Sequence, residues 1–236
     1  MNKQTNWTAI TIVIIVVLAI GSIFFMKLLK NDETNKEQTT QEQTPKQNTN
    51  KPLDPTIFQY EAQPMLGSDT ATVKVAEFAD YKCPACKYFS EEIFPQLKKD
   101  YIDTGKIQFY SYNLAFLAPD SLTAAMVGEA VYKQNKEAYW TYNELVLKNQ
   151  QNEAKNWATT DFLYDLIEKN MPEVNMEQLK KSVENEEAKE NVIKDSNIAQ
   201  TLEISGTPAV FVNGMEVEES MNYEAVKQTI EEELKK

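Results

Sequence analysis

The sequence predicts an α/β domain behind an apolar N-terminal segment, on three observations. Apolar residues recur with period two over residues 73–79 and 107–112. They then take helical spacing over residues 120–204 and return to a strand pattern at 209–212. The only two cysteines of the 236-residue chain, Cys83 and Cys86, stand in the stretch YKCPACKYF, directly after the first of these strands. Residues 8–26 carry no charge.

That uncharged run, TAITIVIIVVLAIGSIFFM, would span roughly 28 Å as a helix, close to the hydrocarbon thickness of a bilayer. Lys3 precedes it and Lys27 and Lys30 follow. A cleaved signal peptide would have a shorter core ending in a small-x-small site. The single candidate, Ala19-Ile20-Gly21, is followed by further apolar residues, Ile23, Phe24 and Phe25. Residues 1–30 therefore read as an uncleaved membrane anchor. Residues 31–56 are rich in Gln, Thr, Asn and Lys, with three prolines and almost no apolar side chain. Such a segment does not bury enough apolar area to offset its ordering entropy, and it reads as a disordered polar tether. Residues 57–236 are long enough for one domain with a core.

Within that domain the elements read in order. Residues 58–60 suggest a short edge strand, and residues 73–79, VKVAEFA, a stronger one with Val73, Val75 and Glu77 on one face. After Cys83 a helix is marked by Ala85, Phe89, Ile93 and Leu97; Pro95 inside it predicts a kink about one turn earlier. A strand follows at 107–112. Five helices come next: one capped by Asp120 or Ser121, one at 137–147, one capped by Thr160, one capped by Asn175, and one at 186–202. The strand AVFV at 209–212, the hairpin signal Asn213-Gly214 and a closing helix at 223–234 complete the chain.

Composition excludes several function classes. There is no histidine, which removes Ser-His and Cys-His catalysis and any His-ligated metal. Two thiols do not make a four-Cys zinc site. Every basic residue is lysine, and beyond residue 30 the chain carries 36 acidic against 21 basic residues, so a nucleic-acid partner is not expected.

The cysteine pair can work as a redox switch. Cys83 falls near a helix N-cap, where unpaired N–H groups and the helix dipole favour an anion and lower a thiol pKa. Pro84 suits the first helical position, where its missing N–H is not needed. Cys86, one turn in, would be the less exposed, resolving thiol. Lys82, adjacent to Cys83, would add to thiolate stability, while Asp80 reads as a loop residue. Glu77 lies six residues before Cys83. It either sits beneath the thiols and exchanges a proton with Cys86, with a pKa raised by burial, or faces solvent at the strand end. Thr207-Pro208 opens the strand AVFV, at a position where a proline is tolerated if its N–H is not needed. The acidic runs offer Asp120 or residues 216–219 as oxygen ligands for a bound calcium, although such runs usually form solvated faces. The many Tyr, Phe and Trp residues read as core rather than substrate groove, and Phe116, Tyr139 and Trp140 carry no functional assignment.

The segments EFADYKCPAC, KEAYWTYNELVL and GTPAVFVNG together resemble the DsbA-like thiol–disulfide oxidoreductases, in particular the membrane-anchored Gram-positive type, over residues 57–236. The resemblance implies an α/β thioredoxin-like fold with an all-helical domain inserted at about residues 118–204, preceded by one N-terminal transmembrane helix. It implies Cys83 as nucleophile, Cys86 as resolving thiol, Pro208 in cis against the Cys-x-x-Cys turn, Thr207 presenting backbone groups to an extended substrate, and Glu77 as a buried acid. The implied activity is the introduction of disulfide bonds into unfolded secreted or surface proteins. No cofactor is needed beyond the Cys83–Cys86 disulfide, and a DsbB-like quinone-linked membrane oxidase would restore it. The catalytic domain would face the outside of the cell membrane. A membrane-anchored reductase or isomerase is the alternative, and a non-catalytic tethered domain a weaker one. One departure bears on the choice: DsbA carries histidine between its cysteines, where this chain has Pro84-Ala85. Each pKa unit by which Cys83 falls below ambient pH stabilises the reduced form by about 1.4 kcal/mol, or roughly 30 mV.

Overall fold

The computed structural model describes residues 52–236; the expected anchor and most of the tether lie outside them. Among the described residues no helix is long and apolar enough to cross a membrane. The folded body begins at Leu53, whose N–H donates to the Gly214 carbonyl at 3.1 Å, so the end of the expected tether is part of it.

Five strands form one sheet in the order β1-β3-β2-β4-β5. They are β1 (Met65–Gly67), β2 (Val73–Ala79), β3 (Ile107–Asn113), β4 (Ala209–Val212) and β5 (Met215–Glu216). β2 and β3 are parallel, and every other pairing is antiparallel. The helix that crosses between the parallel pair is α1, residues 84–102. The other helices are α2 (Pro119–Gln134), α3 (Lys136–Lys148), α4 (Thr160–Asn170), α5 (Met176–Glu184), α6 (Lys189–Thr201) and α7 (Tyr223–Glu233).

Both faces of the sheet are covered, which is why β2 is buried along most of its length. Val73 and Val75 pack with Phe89, Ile93 and Leu97 of α1 and Val226 and Ile230 of α7. Ala76 and Phe78 pack on the other side with Phe58, Tyr112, Ile198 and Phe211. A third cluster fills the helical block between β3 and β4 and includes Cys83, Cys86 and Tyr81. Gly128, in mid-α2, has a physical reason: a Cβ there would stand 2.8 Å from the Tyr142 ring and 3.1 Å from the Tyr81 hydroxyl.

Several local expectations change. Residues 58–60 are not an edge strand; the chain makes two 3-10 turns, Pro55–Phe58 and Tyr60–Ala62, and Phe58 stacks on Tyr60. The sheet edge is instead β1, too short to carry a period. Pro95 is accommodated by a π-turn, Phe89–Ile93, in which the Phe94 N–H reaches the Phe89 carbonyl five residues back. Neither Asp120 nor Ser121 is the N-cap of α2. The helix opens at Pro119, and Ser121 reaches back to accept the Ala118 N–H. The cap of α4 is Thr159 rather than Thr160, whereas Asn175 caps α5 through the Gln178 N–H. Asn213 and Gly214 both take positive φ in the β4–β5 hairpin.

Candidate active site

The topology brings two distant pieces of chain together. β2 ends at Ala79, and Cys83 follows four residues later as the N-cap of α1, with Pro84 in the first turn. β4 runs antiparallel to β2 with Ala209 opposite Phe78, so Thr207 and Pro208 fall beside the turn. The Thr207–Pro208 peptide is cis. The Cys83 thiol donates to the Thr207 carbonyl at 3.3 Å. Both cysteines are free thiols; Cys83 is 8% exposed and Cys86 fully buried.

The two sulfurs differ in acidity. A hydrogen bond from the Cys86 thiol does most to stabilise the Cys83 anion; burial works against it, and the Thr207 side chain and the N–H groups of Cys86 and Ala85 add to the stabilisation. Together they bring Cys83 down to about 6. Cys86 is pushed well above the ordinary thiol value by burial first, then by its hydrogen bond to Cys83 and the charges of Cys83 and Glu77. At neutral pH Cys83 is thus the thiolate and Cys86 the thiol.

Glu77 lies in mid-sheet between Ser111 of β3 and Val210 of β4, and is 5% exposed. Burial, with the nearby Cys83 charge, raises its pKa to about 8. Two further buried carboxyls gather at the end of β3. Asp195 of α6 accepts from the Asn113 N–H at 2.8 Å and from Gln63 at 2.9 Å. Glu129 of α2 accepts from the Asn113 side chain at 2.8 Å. Burial raises each to about 7.

Lys82 does not turn toward Cys83. Its side chain is buried and points into the helical block, where Nζ lies 2.6 Å from Asp120 Oδ1 and donates to the Lys155 carbonyl at 2.8 Å. Its charge is matched by Asp120 rather than by the thiolate. Asp120, offered by the sequence as an oxygen ligand, has both carboxylate oxygens engaged by protein donors. Its second oxygen accepts the Trp157 and Ala158 N–H groups, at 2.9 and 3.0 Å. Burial opposes its ionisation, but these partners hold its carboxyl below the usual range. Glu216, Glu218 and Glu219 are exposed, and among the described residues no three His, Cys, Asp or Glu side chains converge as a metal site.

Sequence reasoning missed the contacts that Asp80, Asp120 and Gln150 make with the active-site turn. Asp80 is buried. Its Oδ1 accepts the Lys82 N–H, and its Oδ2 accepts the Phe116 and Leu117 N–H groups. An aspartate two residues before a turn residue is an Asx-turn signal, so this contact had a local trace. Asp120 and Gln150 had none. Tyr139 is buried and Trp140 packs on Phe94 and Phe109, but Phe116 is 53% exposed, on the linker that Asp80 anchors.

With no histidine in the chain, the buried acids and Cys83 dominate titration between about pH 5 and 8. Glu77, Glu129 and Asp195 keep their protons to higher pH folded than unfolded. The native state therefore binds more protons in this window, and stability falls as pH rises. Cys83 has the opposite sign: its folded pKa is depressed, so it adds stability as pH rises above about 6. In urea unfolding, the midpoint of the oxidised protein, where Cys83 does not titrate, is expected to fall steadily across the window. The reduced protein should fall less steeply above pH 6. A midpoint that rises in the oxidised protein contradicts the burial of these carboxyls.

The thioredoxin family model matches residues 59–232. The probable disulfide bond formation protein D of Bacillus cereus is 41% identical over 180 residues, covering 76% of this chain and 82% of that one. Disulfide bond formation protein D of Bacillus subtilis is 38% identical over 175 residues, 74% and 78% of the two chains. The crystal structure of oxidised BdbD from Bacillus subtilis superimposes with a TM-score of 0.71 at 38% identity, covering 75% of this chain and 95% of that one. Chlamydia trachomatis DsbA gives a TM-score of 0.66 at 25% identity, covering 72% and 90%.

Proposed function

Since this chain belongs to the thioredoxin family, and within it to the DsbA-like disulfide bond formation proteins, we propose that it donates the Cys83–Cys86 disulfide to secreted or surface polypeptides. The observation that carries this reading is the asymmetric dithiol: a stabilised thiolate at the helix N-terminus above a buried thiol with a raised pKa.

In the oxidised enzyme a substrate thiolate attacks Cys83 Sγ. A substrate–Cys83 disulfide forms, the Cys83–Cys86 bond breaks, and Cys86 leaves as a thiolate that takes up a proton. Glu77 supplies it; burial, with the nearby Cys83 charge, keeps its carboxyl protonated at neutral pH, which supports this role. A second substrate thiolate then attacks the substrate sulfur of the mixed disulfide. Cys83 leaves as the thiolate, and two electrons have passed from substrate to enzyme. The extended substrate lies along Thr207 and Pro208; exposed Phe116 and Leu117, on the linker that Asp80 holds, offer apolar surface.

The chemistry requires an oxidising compartment. Residues 8–26 anchor the chain, the catalytic domain faces the outside of the membrane, and a quinone-linked oxidase of the DsbB type reoxidises the pair. Labelling of Cys83 in intact cells by a membrane-impermeant thiol reagent, after an impermeant reductant has opened the disulfide, checks the orientation; protection that is lost only on lysis overturns it.

The direction of electron flow is tested by the redox potential of the full chain in detergent against glutathione. With Cys83 about one unit below neutral pH, its thiolate alone stabilises the reduced form by roughly 1.4 kcal/mol, about 30 mV. A value above about −200 mV is expected for a donor. A value near thioredoxin's roughly −270 mV assigns the chain to reduction instead.

A further inference from the structure

The turn that carries Cys83 is gripped from outside at three consecutive residues. Gln150, in the segment joining α3 to α4, donates its amide to the carbonyls of Tyr81, at 2.8 Å, and Cys83, at 3.0 Å. Between them Lys82 reaches from the same turn to Asp120 and to the carbonyl of Lys155 in that segment. Asp120 stands in the first turn of α2 and also accepts the Trp157 and Ala158 N–H groups. One carboxylate thus ties the active-site turn, α2 and the joining segment to a single point.

A buried ion pair is a weak source of stability, because two apolar side chains of similar volume would serve as well. What it supplies is geometry, since ammonium and carboxylate tolerate few arrangements once desolvated. Geometry is what a helix N-terminus needs to hold a thiolate, because hydrogen bonds weaken steeply with angle and distance. A site also stays in its productive arrangement only when its supporting groups are themselves locked.

We propose that Asp120, Lys82 and Gln150 are positioning residues through which the helical insertion fixes the orientation of Cys83 and so sets its reactivity. The insertion then acts on the chemistry itself, through the nucleophile's own turn. This rests on Cys83 being the nucleophile.

The test compares three variants of the full chain in detergent: Gln150→Ala, the neutral double variant Lys82→Met/Asp120→Asn, and Gln134→Ala. Gln134 likewise bridges backbone groups, but between α2 and the cap of α5. For each, the ultraviolet absorbance of the thiolate is titrated, the equilibrium with glutathione is measured, and a thermal melt is recorded. Gln150→Ala is expected to lower the thiolate fraction at mildly acid pH and to shift the glutathione equilibrium about three- to tenfold toward the disulfide form, with little change in the melt; tenfold is roughly 30 mV. The double variant should move the same way, and Gln134→Ala should leave both readouts unchanged. Wild-type values in Gln150→Ala overturn the proposal, and so does an equal shift in Gln134→Ala. If the double variant does not fold, Gln150→Ala decides alone. If wild-type protein forms no thiolate below neutral pH, it is the reading of Cys83 as nucleophile that fails.

Discussion

Cys83→Ser is expected to bring thiol–disulfide exchange down to the uncatalysed background, because a serine hydroxyl does not ionise near neutral pH and forms no disulfide. Cys86→Ser should behave differently. Cys83 keeps its place at the N-terminus of α1 and its hydrogen bond to the Thr207 carbonyl. It should still exchange with a mixed disulfide, but no enzyme thiol remains to release the substrate. Incubating each variant with a peptide carrying an activated disulfide, followed by non-reducing electrophoresis, checks both. A stable adduct on Cys86→Ser and none on Cys83→Ser is the expected pattern. The reverse pattern would make Cys86 the attacking thiol, against its burial and raised pKa.

Breaking the Lys82–Asp120 pair from one side should produce the largest stability loss. Lys82→Met leaves Asp120 without its cation, and Asp120→Ala leaves a buried ammonium and two backbone N–H groups without an acceptor. Removing one partner of a buried pair costs about 3–5 kcal/mol. For a domain of this size that lowers the melting temperature by roughly 6–20 °C. Lys98–Asp103 is equally close but about half exposed on both sides, and breaking it should cost less than about 1 kcal/mol. The neutral double variant Lys82→Met/Asp120→Asn should lose less than either single change. Thermal melts of the wild type, Lys82→Met, Asp120→Asn and the double variant decide it; a double variant as unstable as the sum of these two singles would mean that the two residues act independently.

The pieces legible in the sequence are those whose causes are local. The strands β2 and β3, the run of helices and the hairpin at Asn213-Gly214 follow from side-chain period and backbone preference over a few residues. So does the placement of Cys83 before Pro84 at a helix start. Glu77 shows the boundary. Period two placed it on the face of Val73 and Val75, but whether that face is dry at the strand end depended on what covers it. α1 and α7 cover that face, and α6 packs on the other.

What only the tertiary structure decided is where each buried charge finds its partner. Lys82 meets Asp120 across 38 positions, Gln150 reaches the active-site turn across 69 and 67, and Gln63 meets Asp195 across 132. Read alone, Lys82 pointed to the neighbouring thiolate and Asp120 to a helix cap, because adjacency is all a local reading weighs. In the fold a buried ammonium must be matched by a carboxylate at contact distance, and the carboxylate that packing delivers belongs to another element. The sequence by itself determined the thiol chemistry, through two cysteines, a proline and a helix start. Tertiary structure determined the environment in which that chemistry works, because desolvation and charge pairing depend on distance in space and not along the chain.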